Sequence, residues 1–129
     1  DNAHGVHPNH PEYADGQNNV KLNGGIVIKH HTNYTTDGLS SALLKTLLDD
    51  NNVKYQDYYN RSDIRCGGTL GLITSAMLNL NAVDIGLGQL AMHSAVETVG
   101  YEDIEKMQKC INCFYNCKIT HSEKGIVIK

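Results

Sequence analysis

No apolar run in this chain approaches the ~18–20 residues that a membrane-spanning helix needs. The opening residues Asp1-Asn2-Ala3-His4 also lack the basic and then apolar character of a signal peptide. An excess of one charge sign is missing too. Eleven Lys and Arg stand against 14 Asp and Glu, for a formal charge of −3, and the cationic residues are scattered. Neither a nucleic-acid surface nor an anionic-membrane surface is therefore expected. No Lys-Ser/Thr pair follows a glycine loop and no Gly-x-Gly-x-x-Gly spacing occurs, which leaves out a P-loop and a dinucleotide fingerprint. No paired spacing of a zinc ribbon or zinc finger is present.

What is present is enough for one compact domain. The chain has 129 residues, 40% of them hydrophobic, which provides a modest core and leaves no room for a second domain. The first residue is Asp rather than Met, so a fragment, a processed product or an incomplete record is expected. Seven histidines are many for this length, and His4, His7 and His10 open the chain. The four cysteines are Cys66, Cys110, Cys113 and Cys117. Spacings of three and four put the last three on one face of a helix, as small buried side chains of a reduced protein. A cysteine zinc site would need His121, the only nearby fourth donor. A reducing, cytoplasmic compartment is expected.

Along the chain, residues 1–24 are polar and rich in turn formers, and read as an extended loop. Residues 25–29, Gly-Ile-Val-Ile-Lys, form a short β-branched run that reads as a buried strand. Asp37 is placed to cap a helix carrying Leu39, Ala42, Leu43, Thr46 and Leu47 at helical spacing. Residues 53–59 and 82–87 read as two further strands. Residues 69–78 read as a buried helix, and a last helix runs from Tyr101 or Glu102 to Cys117 with Ile104, Met107, Ile111 and Phe114 along one face. The alternation predicts an α/β fold with a mixed, mostly parallel sheet flanked by helices, and functional residues gathered beyond strand ends. The Gly-Ile-Val-Ile-Lys pentapeptide recurs at 125–129 without matching flanks.

Three segments carry candidate chemistry. The Asp1–His10 loop is dense in carboxylate and imidazole donors of the kind Zn²⁺ accepts. His93 follows a strand and two glycines, and Glu97, four residues on, is placed to orient its imidazole. Arg61, Asp63 and Arg65 precede Gly67-Gly68-Thr69-Leu70-Gly71, a glycine turn whose helix start would favour an anion.

Taken together these segments resemble one family. Asp1-x-Ala3-His4-x-x-His7-Pro8-Asn9, Asn60-Arg61-Ser62-Asp63 with Gly67-Gly68-Thr69-x-Gly71, and Val83-Asp84-Ile85-Gly86 through Gln89-Leu90-Ala91-Met92-His93-Ser94 look like the M18 aspartyl aminopeptidases. Residues 25–29 and Tyr34-Thr35-Thr36-Asp37-Gly38 fall in the same order. The resemblance covers residues 1–117, the C-terminal portion of a zinc-peptidase-like catalytic domain, and leaves 118–129 as a tail of unassigned structure. It implies two zinc ions in the complete site, with Asp1 holding one and His93 the other. It implies that His4, Lys29 and Tyr34 contact substrate, a peptide with an acidic N-terminus. The 29–34 loop is about two residues shorter than is usual in the family. The general base, the bridging carboxylate and the other ligands would lie upstream of Asp1, so no catalytic base is assigned within these residues.

The expected activity is removal of N-terminal Asp or Glu by a metal-activated water, in a homo-oligomer of the complete protein, with this chain alone inactive. Two other readings compete: a related dinuclear zinc aminopeptidase of different specificity, and a noncatalytic His-rich domain for metal binding or assembly.

Overall fold

A computed structural model describes residues 1–68, 70–123 and 125–129. Thr69, part of the glycine motif, and Lys124, beside the second pentapeptide, lie outside the described residues. The chain is a mixed α/β arrangement of small sheets and helices. Its centre is β2, Ile26–His30, in which Ile26, Val27 and Ile28 have no exposure and Lys29 has 1%. The β-branched run forms this strand because both of its faces are covered. Gly25 starts it at φ 109°, and any Cβ there would strike the Lys54 carbonyl, so glycine meets two requirements at once.

On one side of β2 lies β3, Tyr55–Tyr59, parallel and in register from Ile26 opposite Tyr55 to His30 opposite Tyr59. The crossover between them is helix α1, Gly38–Asp50. Asp37 caps it as expected. Its carboxylate accepts the Ser40 N–H at 2.7 Å, and the Ser40 hydroxyl accepts the Asp37 N–H at 3.0 Å. Leu44, Leu47 and Leu48 from α1 pack with Ile26, Ile28, Val53, Leu87 and Cys110 into the main core.

On the other side of β2 the expected third strand is short and reversed. It is β4, Ile85–Gly86, antiparallel, with Ile85 opposite Ile28. The chain then changes sheets: β5, Gly88–Leu90, pairs parallel with β1, Ala3–His4, and antiparallel with β6, Thr98–Val99. The opening residues are thus partly strand rather than loop throughout. Among the described residues the parallel ladders are β1–β5 and β2–β3, and the others are antiparallel.

Helix α2, Leu70–Met77, differs from the expected buried helix. It has no buried residue, and Leu70 and Met77 are more than three-quarters exposed. Helix α3, Tyr101–Asn116, seats Cys110 in the core with Met107 beside it, while Cys113 and Cys117 are half-buried and Ile104, Ile111 and Phe114 stay exposed. All four cysteines are free. The final residues form a hairpin of β7, Ile119–Ser122, and β8, Gly125–Ile128, whose Ile128 reaches the main core. Among the described residues no helix is long and apolar enough to cross a membrane.

Candidate functional site

The change of sheet after β4 is what builds the site. Residues 2–5 are stitched onto 87–89 by Ala3 N–H to Leu87 O at 2.9 Å, Gly5 N–H to Gln89 O at 2.8 Å, and Leu87 N–H to the Asn2 Oδ1 at 2.9 Å. Gly86 lets this happen, because a Cβ there would collide with the Asp1 carbonyl. Asp1 is thereby laid over the end of β2. Both its carbonyl and its carboxylate accept from Lys29 Nζ, each at 3.2 Å.

Lys29 is a buried lysine with a structured surrounding. Its Nζ lies 4.4 Å from the centre of the Tyr34 ring, within cation–π range. Burial pushes its pKa below the ordinary lysine value, and the charges of Asp84 and Cys66 oppose that shift. Tyr34 sits in the loop after β2, where its hydroxyl accepts a weak bond from the Cys66 thiol at 3.4 Å. Burial, helped by Cys66, raises the Tyr34 pKa well above the usual phenol value and keeps it a proton donor. His4 shifts the other way. Partial burial lowers its pKa, and the nearby His93 and Lys29 lower it further.

Asp1, His4, Tyr34, Cys66 and His93 line a cavity of about 590 Å³, closed on one side by the Tyr58 and Tyr59 end of β3. Lys29 does not line it; the buried ammonium is separated from it by Asp1 and Tyr34, which do. His93 is exposed at φ 67° and Ala91 has φ 56°. Left-handed backbone at two nearby non-glycine residues is strain of the kind found where geometry serves a site. Glu97 does not orient the imidazole as expected. Its Oε1 accepts the His93 backbone N–H at 2.6 Å and so fixes the turn rather than the ring.

The charged turn is also occupied internally. Arg61 makes a two-point pair with Asp63, at 2.6 and 2.9 Å, and its other nitrogen donates to the Glu12 carbonyl. Against the first turn of α2 lies an anion of the chain's own, the Asp84 carboxylate, in space that a Cβ on Gly71 would fill. The sequence signal for Asp84 was a charge inside an apolar strand. Cys66, expected only as a thiol, also touches the site through Tyr34.

Asp1 and His93 supply a carboxylate and an imidazole, donors that suit zinc, at the same cavity. Among the described residues no group of three or more His, Cys, Asp or Glu is close enough to hold a metal ion. That applies to the His-rich opening and to the cysteines with His121 as well.

These features define an α/β domain with a cavity whose wall carries Asp1, His4 and His93. Residues 1–115 match the family described as aminopeptidase I zinc metalloprotease (M18), and the chain belongs to that family. It is 42% identical over 118 residues to a probable M18 family aminopeptidase 2 of Ectopseudomonas mendocina (strain ymp), covering 90% of this chain and 28% of that protein. A chain in the cryo-EM structure of the Ape4 and Nbr1 complex superposes with a TM-score of 0.86 at 34% identity, over 89% of this chain and 22% of that one. The S. cerevisiae mApe1 dodecamer superposes at 0.76 with 28% identity, over 89% of this chain and 25% of that one. The chain thus spans less than a third of the length of these relatives.

Proposed function

We propose that the protein carrying this chain is a metalloaminopeptidase that releases N-terminal Asp or Glu from peptides, as a cytoplasmic homo-oligomer with two zinc ions in each site. The observation that most supports this is the convergence of Asp1, His4, Tyr34 and His93 on one cavity, with Lys29 bound behind Asp1. The free thiols fit a reducing compartment, and the dodecameric relative supports assembly.

In this reading Asp1 holds one zinc ion and His93 the other. When bound, zinc supplies a water that is nucleophilic near neutral pH and polarises the scissile carbonyl. The chain's own residues bind and orient the peptide. Lys29 is a buried cation behind Asp1 and Tyr34, where a substrate carboxylate that reaches it gains far more than it would in water. Tyr34, held protonated by burial, donates a hydrogen bond to the developing oxyanion. His4, kept neutral by its surroundings, offers one N–H from the opposite wall. The proton-accepting carboxylate and the remaining ligands come from segments outside these 129 residues, consistent with a chain spanning 28% of its relative.

The test compares hydrolysis of Asp-, Glu- and Leu-terminated peptides by the whole protein and by its Lys29→Ala variant. Acidic substrates should be preferred, and Lys29→Ala should lower kcat/KM for them by roughly 10²-fold, as loss of one partner of a desolvated charge pair does. A Leu substrate cleaved as well as an Asp substrate would favour the related aminopeptidase of different specificity.

A further inference from the structure

We propose that Asp84 is a positioning residue for substrate recognition, which holds the Lys29–Tyr34 pair together by tying the loop of Tyr34 to the strand of Lys29. The inference rests on the reading of Lys29 and Tyr34 as substrate contacts given above.

Three polar atoms of Asp84 do this: its carbonyl oxygen, its backbone nitrogen and one carboxylate oxygen. Its carbonyl accepts the Lys29 N–H at 2.9 Å, which anchors it to β2. Its N–H donates to Thr36 Oγ1 at 2.8 Å. One carboxylate oxygen, Oδ2, accepts both the Thr35 N–H at 2.7 Å and the Thr35 hydroxyl at 3.0 Å. The loop between His30 and Thr35 is tied besides by Tyr34 N–H to the His31 carbonyl at 3.0 Å, Asn33 N–H to His31 Nδ1 at 3.1 Å and the Asn33 amide to the Cys66 carbonyl at 3.1 Å. Asp84 therefore fixes the residue directly after Tyr34, and through it the ring that covers the Lys29 ammonium.

Two features argue that the carboxylate itself matters. One of its oxygens takes both polar groups of Thr35, the N–H and the hydroxyl, so the carboxylate is what holds the residue beside Tyr34. Room for it exists only because residue 71 is glycine, since a Cβ there would occupy the position of the carboxylate. The last glycine of the Gly67-Gly68-Thr69-x-Gly71 motif thus serves a residue 13 positions further on, not an external anion.

Three substitutions separate positioning from general structure. Asp84→Ala removes both Thr35 bonds and the charge. Asp84→Asn keeps an acceptor oxygen and removes the charge. Gly71→Ala displaces the carboxylate without altering it. In the whole metal-loaded protein, Asp84→Ala should raise KM for an Asp-terminated peptide roughly tenfold, the scale of a lost charge-assisted bond. KM for a Leu-terminated peptide should stay within about threefold, while kcat should fall to a similar extent for both substrates, because the ring that is released also faces the oxyanion. Gly71→Ala should reproduce that split, and Asp84→Asn should fall between Asp84→Ala and the parent. Amide exchange at Thr35 should accelerate in Asp84→Ala and Gly71→Ala, an observation independent of turnover.

A merely structural role would reduce the active fraction, lowering kcat for both substrates equally with KM unchanged, and that result overturns the proposal. If Asp84→Ala does not fold, the Asn and Gly71→Ala variants decide by the same KM split. If Lys29→Ala changes the acidic preference while the Asp84 and Gly71 variants do not, the clamp alone is wrong. If Lys29→Ala has no effect on acidic substrates, the functional reading beneath it is wrong.

Discussion

Asp103 has no solvent exposure and holds the turn that leads into β2. Its two oxygens accept the Asn23 N–H at 2.7 Å and the Gly25 N–H at 2.8 Å. That turn includes Asn23 at φ 61° and Gly25 at φ 109°, so its backbone conformation is unusual and needs support. The support is mutual. Asn23 Oδ1 accepts the Glu102 N–H at 3.1 Å and so caps α3, whose own N-cap is a glycine with no side chain to do it. Replacing Asp103 by Ala strands two N–H donors, and each such loss costs about 1–3 kcal/mol. Lys106 loses one of its two carboxylate partners, worth about 0–1 kcal/mol at a surface. Relief from burying a carboxylate offsets part of this. The net expectation is about 2–4 kcal/mol, which corresponds to a fall of roughly 30- to 1,000-fold in amide protection across Ile26–His30. Local hydrogen exchange in the whole protein is the right assay, because a larger assembly need not unfold in two states. Asp103→Asn keeps one acceptor but turns an NH₂ toward the other donor, so it should recover only part of the loss. A change in protection below about threefold for Asp103→Ala would refute the reasoning.

Three further outcomes are expected. His93→Ala should lower bound zinc in the whole protein from two ions to one per chain by elemental analysis and remove nearly all turnover; unchanged metal content would exclude His93 as a ligand. Asp57 should give an acid-dependent stability term. Burial disfavours its charge, but bonds from Lys45 at 2.9 Å and His30 at 2.8 Å outweigh that and hold its pKa below the usual carboxylate value. Because the folded pKa is depressed, this contribution is complete above the unfolded value of about 3.9 and is lost as pH falls through the lower folded value. The stability gap to Asp57→Asn should therefore be flat above about pH 5 and shrink in stronger acid, as acid-unfolding curves would read out. Finally, the 129-residue polypeptide alone with Zn²⁺, Mn²⁺ or Co²⁺ should hydrolyse no Asp-peptide, since its described residues bring no three metal donors together. Robust turnover would mean that the ligands have been misassigned.

The elements with local causes were legible in the sequence. Asp37 and the leucine spacing locate α1, and the β-branched run locates β2, because both signals sit within a few residues of the structure they produce. Helix α2 was legible as a helix but not as an exposed one. Apolar spacing records which side chains would accept burial, and the covering surface lies elsewhere. The 82–87 strand was overextended for a similar reason: the ladder holds only Ile85 and Gly86, and Asp84 before them gives its N–H to the Thr36 hydroxyl, 48 residues away, rather than to a neighbouring strand. Of the five residues named through motif resemblance, Asp1, His4, Tyr34 and His93 line one cavity, and Lys29 lies behind Asp1. Their supports could not be named that way, because Asp84, Asp103 and the real partner of Glu97 act through backbone groups that no side-chain pattern records.

The stitching of residues 2–5 onto 87–89 also has a consequence for the order in which the site comes into being. Asn2 bonds to groups 85 and 87 positions later. At a synthesis rate of about 5–20 residues per second, those partners follow Asn2 out of the ribosome after roughly 4–17 s. Through that interval β2 and β3 can pair, since both precede residue 60, but the Lys29 ammonium lacks both Asp1 and Asp84 as settled neighbours. A nascent chain therefore exposes Lys29 before Asp1 is pinned and before Asp84 exists, and the pocket is finished only when the segment that carries His93 is made.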